Sequence, residues 1–140
     1  MGGIFVPILC QPESVKDRPT KCHEYLFLFS KNEKYKYYID AKKGPNGRRV
    51  RDVWSINTKA NKETSGHFAV YPIELIEPCI LFGTNENDLI LDPFMGSGST
   101  AIAANRLNRR FVGIELNPDY YQMSINRLCA EGMNVLEDLA

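Results

Sequence analysis

The chain has 140 residues, with 17 Lys and Arg set against 17 Asp and Glu, and so carries no formal net charge. A hydrophobic fraction of 44% with 24% charged residues is the composition of one packed domain, which excludes wholesale disorder. A balanced chain has no overall field with which to attract nucleic acid, so any such binding needs a local basic patch or a second polypeptide.

The first element is the apolar run Ile4-Phe5-Val6-Pro7-Ile8-Leu9, read as a strand and followed by a polar loop over residues 11–20. Met1-Gly2-Gly3 supplies no basic segment before that run, unlike a secretory signal. The longest apolar stretches, residues 4–10 and 73–82, are broken by Pro or Glu and fall short of the roughly 20 residues that cross a bilayer. The expectation is a cytoplasmic protein with no membrane segment.

Two aromatic-rich runs follow, residues 24–29 and 35–39, separated by Lys31-Asn32-Glu33-Lys34, and they are expected to pair as an antiparallel hairpin. Residues 41–66 show little periodicity and are read as a loop with one short strand around residues 51–56. This loop holds the basic cluster Lys42, Lys43, Arg48, Arg49 and Arg51, a candidate for tracking DNA phosphates whose rival reading is a solvated surface. His23 and His67 each open an ordered element and are assigned structural roles. Cys10, Cys22, Cys79 and Cys129 show no metal-ligand spacing and are read as buried thiols, with no metal site.

Beyond residue 67 the pattern becomes regular. Ile73, Ile76 and Ile80 fall at helical spacing, with Gly83 as the expected C-terminal cap and Pro78 as the expected point of a kink or restart. Leu89-Ile90-Leu91 is a short apolar strand ending in Asp92-Pro93-Phe94, which opens into the turn Gly96-Ser97-Gly98-Ser99-Thr100. A helix is predicted over residues 100–107, a second strand over residues 110–116, and a last helix starting from an Asn117 cap and Pro118. That helix places Tyr121, Ile125 and Leu128 on one face and ends near Gly132.

Strand, glycine turn, helix, strand, acid is the order of a nucleotide-type site. Gly96 and Gly98 allow the backbone close to a ligand, and the helix behind them directs free N–H groups at it. Glu115, 19 residues after Gly96, ends the second strand where a carboxylate can accept both hydroxyls of a ribose. No Lys follows the glycines, so a phosphate-gripping P-loop is excluded. The glycines alone do not choose between NAD and another adenosine cofactor. Asp92 does, because its carboxylate repels a pyrophosphate and favours the ammonium of an S-adenosylmethionine tail.

The run Asp92-Pro93-Phe94-Met95-Gly96-Ser97-Gly98-Ser99-Thr100, continued by Phe111-Val112-Gly113-Ile114-Glu115-Leu116-Asn117-Pro118, resembles the cofactor motif and following acid of the DNA amino-methyltransferases, which modify adenine N6 or cytosine N4. His67-Phe68-Ala69-Val70-Tyr71-Pro72 is similar to the element that precedes that motif in their permuted β group, and residues 12–19 and 23–31 resemble the stretch that follows catalysis there. The resemblance implies an α/β fold, a partial Rossmann-like methyltransferase domain with an antiparallel hairpin. Its parts are a loop plus hairpin over 11–40, a variable basic loop over 41–66 and a cofactor-binding βαβ part over 67–132. The implied cofactor is S-adenosylmethionine, held by Phe68, Tyr71, Asp92, Pro93, Phe94, Gly96, Gly98, Ser99, Thr100, Glu115 and Asn117, with Phe68 and Tyr71 packing against its adenine. The implied partner is DNA. These enzymes also carry a catalytic Asp/Ser/Asn-Pro-Pro-aromatic loop that holds the target amine of a flipped base. None of the eight prolines here is adjacent to another, so no catalytic residue is assigned. A complementary N-terminal half, or a second copy of the chain, is expected to complete the sheet. A non-catalytic module binding S-adenosylmethionine or DNA, or an NAD-linked fragment, are the alternatives.

Overall fold

The computed structural model describes residues 3–7 as backbone, and residues 16–19, 23–56 and 70–135 in full. His67, Phe68, Cys10 and Cys22 lie outside the fully described residues. The elements are β1 (Gly3–Pro7), β2 (His23–Phe27), a 3-10 turn (Pro45–Gly47), α1 (Ile73–Gly83), β3 (Leu89–Asp92), α2 (Ser99–Arg106), β4 (Arg110–Gly113) and α3 (Pro118–Ala130).

The strands form two separate two-stranded sheets. β3 and β4 run parallel, with Leu89 opposite Arg110 and Asp92 opposite Gly113, and α2 makes the crossover between them. This is the βαβ unit expected from the sequence. β4 is three residues shorter than predicted, although Ile114 still donates its N–H to the Asp92 carbonyl at 2.9 Å.

The other sheet corrects the hairpin assignment. β2 pairs antiparallel with β1, from Gly3 opposite Phe27 to Pro7 opposite His23, and residues 35–39 form no strand. The second aromatic run instead docks on the end of α1. Tyr38 donates its N–H to the Phe82 carbonyl at 2.8 Å, the Tyr37 ring lies 5.4 Å from that of Phe82, and the Tyr38 hydroxyl accepts from the Asn85 side chain at 2.6 Å. Aromatic runs are strand formers only where a partner edge is within reach, and here a helix end offers both an acceptor and an apolar surface.

The predicted strand at residues 51–56 is likewise absent, with a single bridge residue at Val53. What orders this segment is Trp54, buried against Phe82 and donating its indole N–H to the Arg51 carbonyl at 2.7 Å. The helix α1 runs unbroken through Pro78, without the expected restart. The carbonyl that loses its donor belongs to Glu74, an exposed first-turn residue that water can serve. The cap is Thr84 rather than Gly83, since its N–H and hydroxyl both reach the Ile80 carbonyl, at 3.0 and 2.7 Å.

Packing centres on α2. Ala101, Ile102, Ala103 and Ala104 are all buried, and the small side chains let α1, α3 and the β3–β4 sheet approach together. Ile90 and Phe111 cover one sheet face against this helix. The opposite face is bare: Leu89, Leu91, Val112 and Ile114 are 56, 62, 47 and 49% exposed. Parallel sheets are normally covered on both faces, and their strands read as continuous apolar runs for that reason. Among the thiols, Cys79 is half-buried and its pKa is pushed up to about 11, chiefly by burial. Cys129 is exposed, contrary to the buried reading, because it lies off the α3 face that packs Ser124 and Leu128. Among the described residues there is no cluster able to hold a metal and no helix long and apolar enough to cross a membrane.

Candidate cofactor site

The turn between β3 and α2 is built from both sides. Gly96 and Gly98 have φ of +54° and +85°, a region that L side chains rarely adopt, so the two glycines are dictated by conformation. Gly98 also meets α3, where an added Cβ would stand 3.2 Å from the Cβ of Ser124. In β4, Gly113 makes room for Met95, whose sulfur a Cβ there would overlap at 1.9 Å.

Glu115 braces the turn from the strand side. Its Oε2 accepts the Gly96 N–H and its Oε1 accepts the Asn117 N–H, each at 2.8 Å. The carboxylate therefore sits against the turn as predicted, but with a backbone donor on each oxygen. Asn117 is committed to capping α3, its side chain accepting from the N–H groups of Asp119 and Tyr120 at 2.9 and 3.4 Å.

Arg127 of α3 braces the turn from below. One guanidinium nitrogen donates to the Ser97 carbonyl at 2.6 Å and contacts the Ser97 hydroxyl at 2.7 Å. The sequence pattern does not single out this residue, although it lies one turn beyond Met123 and Ser124 and two beyond Tyr120, which place it on the helix face that meets the turn.

Asp92 closes the third side. Its Oδ1 accepts the Phe94 N–H at 3.0 Å, and its Oδ2 accepts the Tyr71 hydroxyl at 3.1 Å, which is also 2.8 Å from the Thr100 hydroxyl. The segment before α1 is thereby tied to the end of β3 and the start of α2.

Above the turn lies a cleft of about 150 Å³, with Val70, Tyr71, Phe94 to Ser97, Ser99, Tyr120 and Met123 in its walls. Of the predicted residues, Tyr71, Phe94, Gly96 and Ser99 form the wall. Asp92, Gly98, Thr100 and Glu115 are joined to it by hydrogen bonds or packing, while Pro93 is exposed in the turn. Val70, Tyr120 and Met123 were not foreseen. Pockets for whole ligands of cofactor size are roughly 300–1,000 Å³, so the described residues make one wall of a larger site. Ser99, at the first position of α2, is 2% exposed and its hydroxyl has no hydrogen-bond partner among the described residues. A buried polar atom in that state, in a cleft wall at a helix N-terminus, is matched to a ligand group.

The basic cluster lies apart from this turn. Lys43 pairs with Asp40 and bridges to Arg49 across the 3-10 turn, and Arg48, Arg49 and Arg51 are exposed on a loop anchored by Trp54. Lys42 is half-buried near Cys79.

A family model described as DNA methylase matches residues 4–126. Type II methyltransferase M.Cfr9I of Citrobacter freundii is 49% identical over 129 residues, covering 89% of this chain and 42% of that protein. Type II methyltransferase M.SmaI of Serratia marcescens is 43% identical over 125 residues, covering 85% of this chain and 42% of that one. The chain thus spans about two-fifths of the length of the curated relatives it matches. Among solved structures, the M1.HpyAVI–SAM complex superposes with a TM-score of 0.71 at 30% identity, covering 91% of this chain and 61% of that one. A DNA modification methylase from Thermus thermophilus, complexed with S-adenosyl-L-methionine, gives a TM-score of 0.69 at 27% identity, covering 94% and 53%.

Proposed function

The chain belongs to the DNA methylase family and has part of a Rossmann-like methyltransferase fold, and on that premise we propose that it is the S-adenosylmethionine-binding C-terminal part of a DNA methyltransferase acting on adenine N6 or cytosine N4. The observation that carries this reading is the braced glycine turn with the buried, unpartnered Ser99 hydroxyl in the cleft wall above it. The residues present fit the cofactor. The N–H groups at the start of α2 and the Ser99 hydroxyl are donors for a carboxylate, and Asp92 is a partner for an ammonium. Glu115 keeps lone pairs for the ribose hydroxyls beside those already used, since a carboxylate offers about four acceptor positions. When bound, S-adenosylmethionine supplies an activated methyl group. This chain's residues hold and orient it, and the wall of apolar groups keeps water from it.

The target amine must be held by a Pro-Pro-aromatic loop that these 140 residues do not contain. In our reading that loop belongs to polypeptide outside them, continuous with the chain or separate, which also covers the bare β3–β4 face. Four half-exposed apolar side chains there are worth about 1 kcal/mol each when covered. The exposed arginines of the loop over residues 41–66 lie along DNA phosphates, and the whole acts in the cytoplasm. The domain division is the one read from the sequence, with residues 67–132 as the cofactor part. Isothermal titration with S-adenosylmethionine and with NAD tests the proposal. Saturable binding of the former and none of the latter is expected, and the reverse order of affinity overturns it.

A further inference from the structure

Tyr71 was expected to contribute an aromatic face, yet the hydrogen bonds of the site engage its hydroxyl. That hydroxyl has a single proton. Given to Asp92 Oδ2 at 3.1 Å, it leaves the phenol oxygen to accept from Thr100 Oγ1 at 2.8 Å, so that donors run in one direction from Thr100 through Tyr71 to the carboxylate. The Phe94 N–H holds the other oxygen at 3.0 Å. With one donor on each oxygen the carboxylate is fixed in orientation, while each oxygen retains a free lone-pair position.

The contact is not local. Tyr71 precedes α1 by two positions, Asp92 ends β3 and Thr100 lies in the first turn of α2, so the phenol joins three elements at the point where the cleft begins. Tyr71 is half-buried in the cleft wall. Its pKa is raised above the ordinary tyrosine value, most by burial, against an opposing hydrogen bond with Thr100 and with reinforcement from the Asp92 charge. The phenol therefore remains a neutral donor across the working range of pH.

We infer that Tyr71 is a positioning residue whose hydroxyl, ordered by Thr100, sets the Asp92 carboxylate to receive the ammonium of the cofactor's amino-acid tail. This rests on the reading of the cleft as an S-adenosylmethionine site. Its contribution to affinity then passes through the tail and not through the adenosine.

The test compares S-adenosylmethionine with 5′-methylthioadenosine, which has the adenosine and the sulfur but no amino-acid tail. Tyr71→Phe keeps the ring and removes the hydroxyl. Titration calorimetry is expected to show affinity for S-adenosylmethionine falling about fivefold to tenfold, the scale of one hydrogen bond to a charged group, with affinity for 5′-methylthioadenosine unchanged within about twofold. In an Asp92→Asn background the Tyr71→Phe change should have no further effect. Thr100→Val, which leaves the ring in place, should shift the same ligand in the same direction by less, and it carries the test if Tyr71→Phe lowers thermal stability. Equal weakening of both ligands, or of neither, overturns the inference while leaving the cofactor reading intact. A wild-type chain that binds neither ligand overturns the cofactor reading and this inference with it.

Discussion

Replacing Glu115 by Gln separates a ribose-binding role from a purely structural one. The wild-type carboxylate accepts one backbone N–H on each oxygen, from Gly96 and from Asn117, both at 2.8 Å. A carboxamide has a single acceptor oxygen. Whichever N–H it keeps, its own NH₂ then faces the other, and one of two ribose hydroxyls also loses its acceptor. A hydrogen bond to a charged group is worth about 1.5–3 kcal/mol, so losing one at the ligand predicts affinity for S-adenosylmethionine lower by about tenfold to a hundredfold. The cost to the unliganded fold is smaller, below about 1 kcal/mol, because Asn117 is exposed and water can take over its N–H. Titration calorimetry gives the first quantity and thermal unfolding the second. Unchanged affinity with lowered stability would show that Glu115 only braces the turn, and would refute its assignment to the ribose.

Arg127→Met removes both contacts to Ser97 and should weaken cofactor binding about tenfold, whereas Arg127→Lys keeps one donor within reach of the Ser97 carbonyl and should recover part of the loss by the same titration. Leu91→Asp changes a residue that is 62% exposed, so stability of the isolated chain should move by no more than about 0.5 kcal/mol. The same substitution should weaken association with a complementary methyltransferase half at least about tenfold in analytical ultracentrifugation, and unchanged association would remove the bare sheet face from the interface. Replacing Arg48 and Arg49 together by Ala should reduce DNA affinity for all sequences and flatten its dependence on log salt by up to about 2, measured by fluorescence anisotropy. An unaltered salt slope would return the loop to the role of a solvated surface.

The part of the chain legible in its sequence is the part whose contacts are local. Leu89-Ile90-Leu91, the glycine turn and the alanines of α2 lie within about one βαβ unit, where strand, turn and helix signals agree and the positive φ of Gly96 and Gly98 explains the residue type directly. The pairing of β2 was not legible, since an aromatic run shows that it seeks a partner and not which one. Tyr37 and Tyr38 found Phe82 and Asn85, more than 40 residues away. Trp54 was placed in a loop for want of periodicity, yet its indole is the loop's anchor. In the site, Asp92, Glu115 and Ser99 were identified by type and spacing. Arg127 and Val70 were not, because a clamp on a backbone carbonyl leaves no motif. The continuous apolar character of β3 and β4 did carry information that the fold makes explicit: such strands expect cover on both faces, and here one face has none.

If this chain supplies the cofactor half of a DNA methyltransferase, its activity depends on a Pro-Pro-aromatic loop from outside these residues. The decisive assay is transfer of labelled methyl from S-adenosylmethionine to DNA, by the chain alone and by the chain combined with a polypeptide that carries the loop from a type II relative. No transfer is expected in the first case and transfer to an exocyclic amine in the second, abolished by Glu115→Ala. Transfer by the chain alone, or none from a combination that demonstrably assembles and binds S-adenosylmethionine, would disprove that dependence.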